Sequence, residues 1–149
     1  MKMLEKILTP EHIFLDLLLS SKKRVLEKIS SLLETELNLS RRIIFDAFFV
    51  REKLGTTGIG GGLAIPHARI HGLEEAICVF IRLEKSLSFQ AIDNKPVDLL
   101  FALLVPEDCS EMHLQLLSEL ATKFSKENFT NSLRLAKDKQ RVMELFAMN

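Results

Sequence analysis

The sequence has few of the residues that mark a disulfide-rich protein. Cysteine occurs twice in 149 residues, at Cys78 and Cys109, with no Cys-x-x-Cys pair. So few cysteines exclude a disulfide framework, and we expect a reducing, cytoplasmic environment. Cys78 lies in an apolar stretch, residues 76–81, where the pattern predicts a buried strand residue.

The sequence also has no net charge. The 20 Lys and Arg residues are balanced by 20 Asp and Glu residues. A chain without an overall positive field has no electrostatic footprint for nucleic acid or anionic lipid, so we expect neither as a partner. The run Lys22-Lys23-Arg24 is local, and we interpret it as a solvated helix face.

Long hydrophobic runs are also missing. The longest apolar stretch near the N-terminus, residues 13–19, is interrupted by Asp16 and is far shorter than the roughly 20 residues of a membrane-spanning helix. No small-residue cleavage site follows it, so we expect neither a signal peptide nor membrane insertion. With no internal repeat or linker, the chain is predicted to form one domain over residues 1–149.

Apolar spacing predicts several helices. The first begins at Ser21, and the second has Ser40 as its N-cap and Gly55 as a left-handed end. Ser110 is expected to cap a third helix, and one or two more fill residues 127–146.

Three apolar stretches read as strands. They are a short piece at residues 63–65, then residues 76–83, then residues 97–105, which Pro106 ends. The last stretch is almost continuously apolar, as expected of a strand covered on both faces. Helices before, between and after strands predict an α/β layered fold.

Glycine is scarce and concentrated. Five of the six glycines lie within residues 55–62, shortly before Pro66 and His67. The segment is not a P-loop, because no Gly-Lys-Ser/Thr follows, and its glycines miss the dinucleotide-binding register. A chain that places its glycines in this way is shaping the backbone around His67.

His67 is the first candidate for chemistry. A loop that fixes its ring while leaving one nitrogen reachable suits a nucleophile for phosphoryl transfer. Phosphoryl oxygens also need donors. We expect these from glycine-loop N–H groups, from the hydroxyls of Thr56 and Thr57, and from Arg51 on the preceding helix.

His113 is the second candidate. With Ser110 as the N-cap, it occupies the third helical position, where free N–H groups favour an anion. The same dipole favours its neutral imidazole. Because it follows a buried strand closely, we expect it on the same rim as His67. Considered alone, it reads as a partly exposed surface histidine.

A metal site is the main competing interpretation of the histidines. His67, His71 and Glu75 are spaced by four, which aligns ligands on a helix. Pro66 and Gly72 argue against a helix there, so we expect neither a metal nor another cofactor. His71 and His12 are interpreted as surface residues. Three acidic residues near His113 in sequence are expected to be solvated: Glu107, Asp108 and Glu111.

Two long blocks of the chain resemble a known family. Residues 45–67 (Phe45-Asp46-Ala47 through Ile65-Pro66-His67) and residues 91–106 (Ala91-Ile92-Asp93-Asn94 through Val105-Pro106) are similar to IIA components of the bacterial phosphoenolpyruvate-dependent phosphotransferase system. The likeness is to the mannitol/fructose type and, within it, the nitrogen-regulatory branch. It departs at Gly61, where the family often has asparagine, and at Ala68, where glycine is frequent.

The resemblance implies a fold and a set of roles. The fold is a single α/β domain with a mixed, mainly parallel sheet and helices on both faces. His67 is the residue that accepts the phosphoryl group from an HPr-like phosphohistidine protein, through Nε2. His113 is the second active-site histidine, and Arg51 is the basic residue of the same site.

Three functions compete on this reading. The leading one is a phosphocarrier whose phosphorylation state regulates target proteins. We favour it because we recognise no membrane segment and no IIB-like region in the sequence. The alternative is a sugar-uptake component that passes the phosphoryl group to a IIB protein. A third is an interaction module that is never phosphorylated, against which His67, Arg51 and His113 speak.

Overall fold

The computed structural model describes residues 3–148. Its helices are α1 (Met3–Ile7), α2 (Lys22–Leu37), α3 (Arg41–Leu54), α4 (Ser110–Phe124), α5 (Glu127–Leu135) and α6 (Lys139–Ala147), and a 3-10 turn spans Pro10–His12. Its strands are β1 (Ile13–Leu17), β2 (Gly58–Gly60), β3 (Leu63–Ala64), β4 (His67–Ile70), β5 (Ile77–Leu87) and β6 (Val97–Pro106).

The strands of this part of the chain form one mixed sheet. Its order is β1-β5-β6-β3-β2, and β4 also pairs with β6. The pairings β1–β5, β3–β6 and β4–β6 are parallel, whereas β5–β6 and β2–β3 are antiparallel. The mixed, mainly parallel sheet is therefore confirmed.

Helices cover both faces of the sheet, as predicted. Successive residues of β6 alternate between two cores, with Leu100 and Leu104 in one and Leu99 and Leu103 in the other. Buried residues of α2 and α3 complete the first core, while α1, α4, α5 and α6 complete the second. This double burial explains the almost unbroken apolar sequence of β6.

The helix starts were predicted correctly in two cases of three. The side chains of Ser21 and Ser40 accept hydrogen bonds from Arg24 N and Ile43 N and cap α2 and α3. The third was wrong, because Cys109 is the N-cap of α4 and Ser110 is already its first residue. Gly55 does end α3, but with φ 157° and ψ 149° it is not in the left-handed helical conformation we expected.

The glycine segment is more ordered than a loop. Residues 58–64 form an antiparallel hairpin, with Gly58 opposite Ala64 and Gly60 opposite Leu63. The turn contains Gly61 and Gly62, whose φ angles are 66° and 80°. The family departure at Gly61 has a physical account here, because asparagine is among the few other residues that adopt a left-handed conformation readily.

Strands β3 and β4 lie end to end along β6, and both pair with it. Ala64 is level with Leu100 and His67 with Leu103, so the register is the same before and after the break at residues 65–66. The carbonyl of Pro66 accepts a hydrogen bond from Leu103 N at 2.8 Å. His67 is therefore fixed in position by the central strand of the sheet.

Candidate functional site

His67 is the first residue of β4 and is half-buried. Alternation along the strand places Ala68 and Ile70 in the core shared with α2 and α3. Side chains at His67 and Arg69 consequently point to the opposite side of the strand, the side on which α4 packs its buried residues. The predicted meeting with a histidine on α4 depends on this alternation.

The ring of His67 is held in one tautomer. Its Nδ1 lies 2.7 Å from the carbonyl oxygen of Ile65. Because a carbonyl oxygen only accepts hydrogen bonds, Nδ1 carries the proton and Nε2 has the free electron pair. Nε2 is the nitrogen that the family resemblance implies as the phosphoryl acceptor.

Arg51 lies on the last turn of α3 and contacts this same nitrogen. Its Nε donates to Nε2 of His67 at 3.2 Å, and its Nη1 donates to the carbonyl of Gly55 at 2.8 Å. The guanidinium is thus held at two points, with one donor on Nε2 of His67.

His113 completes the cluster. Its ring centroid lies 5.1 Å from that of His67, with an interplanar angle of 71°. Its Nε2 is buried and has no hydrogen-bond partner among the described residues. The structure thus brings together all three residues that the sequence singled out, His67, His113 and Arg51.

The position of His113 on its helix differs from the prediction. Because Cys109 is the N-cap, His113 occupies the fourth helical position and its N–H is bonded to Cys109 O at 3.1 Å. The backbone N–H of His113 is therefore not a free anion donor, and its side chain is the group that faces His67.

Both histidines are neutral near neutral pH. Burial lowers the pKa of His67, and the positive charge of Arg51 adds to this, while the Ile65 carbonyl and the Glu52 carboxylate oppose it. Burial, followed by the fields of His67, Arg69 and Arg51, lowers the pKa of His113 to about 4. A neutral imidazole at His67 retains the electron pair that a nucleophile needs.

The threonines and glycines of the loop do not supply the expected donors. The hydroxyl of Thr56 donates to Phe89 O at 2.9 Å, and that of Thr57 is buried against Glu52. The N–H groups of Gly55, Gly58 and Gly61 are bonded within the protein. These groups are used within the loop, so they are not free to donate to a bound phosphoryl group.

The remaining histidines lie apart from this cluster. His12 is buried, contrary to our expectation, and its Nε2 lies 2.7 Å from Oε1 of Glu36 on α2. His71 is exposed, as predicted, and lies 3.8 Å from Glu107. The acidic residues Glu107, Asp108 and Glu111 are also exposed, as predicted.

The structure does not contain the helix on which the metal-site interpretation depended. His67 lies on a strand and His71 in the turn after it, so the spacing by four does not align ligands on a helix. Within residues 3–148, no three His, Cys, Asp or Glu side chains lie close enough together to hold a metal ion.

Sequence reasoning missed two charged residues near the site. Arg69 is exposed, and its field reaches His113; its position two residues after His67 was the available signal. Glu52 is buried and its charge reaches His67. Glu52 could have been recognised from the sequence, because it follows Ile44 and Phe48 at intervals of four residues and so lies on the same face of the helix. Lys22, interpreted as solvated, pairs with Glu52.

Comparison with known proteins shows that this fold is that of a phosphotransferase IIA module. The chain belongs to the family described as "Phosphoenolpyruvate-dependent sugar phosphotransferase system, EIIA 2", whose model matches residues 6–149. The family predicted from the two sequence blocks is confirmed.

Several of the similar proteins are nitrogen regulatory proteins. The chain is 48% identical over 129 residues to the nitrogen regulatory protein of Klebsiella oxytoca, covering 84% of this chain and 78% of that protein. It is 44% identical over 134 residues to that of Pseudomonas aeruginosa, covering 89% and 87%.

Solved structures show the same fold. The crystal structure of nitrogen regulatory protein IIA-Ntr from Neisseria meningitidis matches with a TM-score of 0.93 and 44% identity, covering 96% of this chain and 98% of that one. IIA mannitol from Escherichia coli matches with a TM-score of 0.78 at 20% identity, covering 93% and 98%; at that identity the likeness concerns the fold alone. No helix within residues 3–148 is long and apolar enough to cross a membrane.

Proposed function

We propose that this protein is a phosphocarrier that accepts a phosphoryl group on Nε2 of His67 and regulates other proteins through its phosphorylation state. The observation that carries the proposal is that the two ring nitrogens of His67 have different hydrogen-bonding roles. Nδ1 donates to Ile65 O, which leaves the electron pair on Nε2 beside the cationic Arg51.

The transfer balances as a displacement at phosphorus. The electron pair of His67 Nε2 forms a new N–P bond while the N–P bond of a donor phosphohistidine breaks, and the donor imidazole leaves with that electron pair. As the His67 ring gains positive character, its Nδ1–H bond to Ile65 O strengthens. Arg51, and His113 in the tautomer that carries its proton on the unpartnered Nε2, are the groups that we propose as donors to the phosphoryl oxygens.

Exposed apolar side chains lie close in sequence to two of the site residues, Arg51 and His113. On α3, Phe49, Val50 and Leu54 are 42%, 56% and 81% exposed, and on α4 Leu114, next to His113, is 68% exposed. Apolar side chains around a reactive residue suit a protein partner. We propose an HPr-like phosphohistidine protein as the donor, and regulated target proteins as the partners that read the added charge.

Regulation is favoured over sugar uptake by the comparisons. Nitrogen regulatory proteins are 44–48% identical to this chain in the cases above, whereas a fructose-specific EIIA component of Haloferax volcanii is 38% identical over 107 residues. Transfer to a IIB protein remains the alternative.

Our proposal includes one phosphotransferase domain over residues 1–149, classed as a phosphotransferase component. It also includes a cytoplasmic location, which the two free cysteines support.

Labelling with phosphoenolpyruvate and the general phosphotransferase proteins tests this function. The wild type should gain one acid-labile phosphoryl group by mass, His67→Ala should gain none, and the exposed control His71→Ala should label normally. An unlabelled wild type would refute the carrier function, and a label that persists in His67→Ala would place the site elsewhere. Addition of a IIB protein and sugar then separates the two functions, since a regulator retains its label.

A further inference from the structure

Glu52 is a charged residue on the buried stripe of α3. It follows Arg51 directly, and only 9% of it is exposed. A carboxylate is stable in such a place only when its charge is paired and its oxygens are hydrogen-bonded. Its partners therefore show what this charge does in the fold.

The carboxylate joins three segments of the chain. Its Oε2 is 2.5 Å from Nζ of Lys22, at the start of α2. The same oxygen accepts a hydrogen bond from Thr57 N at 3.2 Å, and Oε1 accepts one from the Thr57 hydroxyl. Glu52 thus fixes the residue that lies between the end of α3 and the glycine hairpin.

A second set of contacts fixes the same loop from its other side. Nζ of Lys22 lies 4.8 Å from the ring centroid of Phe89 and 3.4 Å from its carbonyl oxygen. That oxygen also accepts the hydroxyl hydrogen bond of Thr56 at 2.9 Å. Lys22 and Glu52 consequently hold residues 56 and 57 between α2, α3 and the segment at Phe89.

The fixed loop reaches the candidate site through one carbonyl group. Gly55 precedes the two held threonines, and its carbonyl oxygen accepts from Nη1 of Arg51 at 2.8 Å. The other contact of the guanidinium is the Nε donor on His67. The direction in which Arg51 points therefore depends on where the loop holds the Gly55 carbonyl.

We propose that Glu52 is a positioning residue for phosphoryl transfer, which holds the loop at residues 55–57 so that Arg51 presents its donors to His67. The inference rests on the proposed function and adds a residue to it. Glu52 acts through Thr57, Gly55 and Arg51 and makes no hydrogen bond to the His67 ring.

The charge of Glu52 gives the proposal an electrostatic signature. The groups around His67 are Arg51 and Glu52 on α3, His113 on α4 and Arg69 on its own strand. Glu52 raises the pKa of His67, against burial and Arg51, which lower it. Removal of this one negative charge should move the titration of His67 to lower pH.

Glu52→Gln is the test variant, because it keeps the shape and one acceptor oxygen but loses the charge that pairs with Lys22. We expect phosphoryl uptake to slow about 10- to 100-fold, the loss typical of a misplaced catalytic donor. The His67 ring signals in NMR should titrate at lower pH than in the wild type. Glu34→Gln is the matched control, since Glu34 pairs with Arg41 on the surface of α2, and it should leave both readouts unchanged.

Thr57→Val is the second variant, in case Glu52→Gln does not fold. It removes only the hydroxyl bond to Glu52 and leaves the charge, so uptake should slow while the His67 titration stays in place. A wild type that takes no label would refute the proposed function itself. A labelled wild type with normal uptake in the folded Glu52→Gln protein would overturn this inference alone. If Glu52→Gln does not fold, normal uptake by Thr57→Val would overturn it instead.

Discussion

Arg51 donates a hydrogen bond to the one nitrogen of His67 that has a free electron pair, across 3.2 Å between Nε and Nε2. In the proposed reaction this nitrogen forms the new bond to phosphorus. Arg51 must therefore release Nε2 as the phosphoryl group arrives and turn its donors to the phosphoryl oxygens. One side chain then covers the nucleophile at rest and stabilises the product, which is a reason for its guanidinium to be anchored on Gly55.

Replacement of Arg51 by lysine separates its charge from its geometry. Arg51→Lys retains a cation, but an ammonium does not reproduce the planar fork that contacts Gly55 O and His67 together. A hydrogen bond to a charged group contributes about 1.5–3 kcal/mol, so phosphoryl uptake should slow roughly 10- to 100-fold. Rapid-quench measurement of uptake checks this. Arg41→Lys, on the surface of α2 and α3, should react normally; an equally slow control would contradict the assignment.

Arg69 is expected to act on His113 by charge. Its field helps to lower the pKa of that histidine, so Arg69→Gln should let His113 titrate at higher pH than about 4. NMR titration of the His113 ring carbons gives the measurement. Arg42→Gln, whose arginine is 87% exposed and beside Asp46, is the matched control. An unchanged His113 titration in Arg69→Gln would mean that solvent screens the interaction completely.

The sequence predicted the meeting of His67 and His113 because topology creates it. His67 begins a strand that is in register with β6, and α4 follows β6 after a short connection. The parallel pairing carries both histidines to one end of the sheet. What the spacing did not provide was the ring geometry, since the tautomer depends on Ile65 O and the fixed guanidinium on Gly55 O.

The errors share a physical cause, competition between local and tertiary contacts. Ser110 has the side chain of a capping residue, but the chain enters the helix one residue earlier, at Cys109. Thr56 and Thr57 are polar enough to face a ligand, yet Phe89 and Glu52 bind their hydroxyls. A short strand such as β4, with four residues, also carries too little periodicity to be recognised before its partner is known.

Stability should depend on pH through His113. Its pKa falls from an ordinary 6.5 to about 4 on folding, so between these values the unfolded chain binds a proton that the folded one does not. Folding stability therefore rises with pH across this window and falls on acidification. The lowered pKa of His67 acts in the same direction.

His113→Gln tests this linkage. Urea unfolding at about pH 7 and about pH 4.5 should show a smaller loss of stability on acidification in the variant than in the wild type. Carboxylates such as Asp16 and Asp93 also have lowered pKa values, but both proteins contain them and their contributions cancel in the comparison. Equal losses would mean that His113 is already protonated in the folded protein. The variant should still fold and take up phosphoryl more slowly, because its partner role at His67 is lost.

Two neighbouring glycines of the hairpin turn should differ in their tolerance of a side chain. At Gly62, with φ 80°, an added Cβ would lie 2.6 Å from Nη2 of Arg134 and 2.8 Å from Oδ1 of Asp98. These two residues form a two-point ion pair, at 2.8 and 3.0 Å, and Arg134 Nη2 also donates to Gly61 O. The guanidinium is therefore not free to move away, and Gly62→Ala should lose about 1–3 kcal/mol of stability.

Gly61 is the matched control for this prediction. Its φ is 66°, and the nearest atom to an added Cβ is Leu63 Cδ1 at 4.0 Å. Gly61→Ala has the same positive-φ cost as Gly62→Ala but lacks the contact, so it should lose less stability. Urea unfolding at an unchanged m-value distinguishes the two variants. If both variants lose the same free energy of unfolding, positive φ alone accounts for the loss and the contact with Arg134 does not contribute.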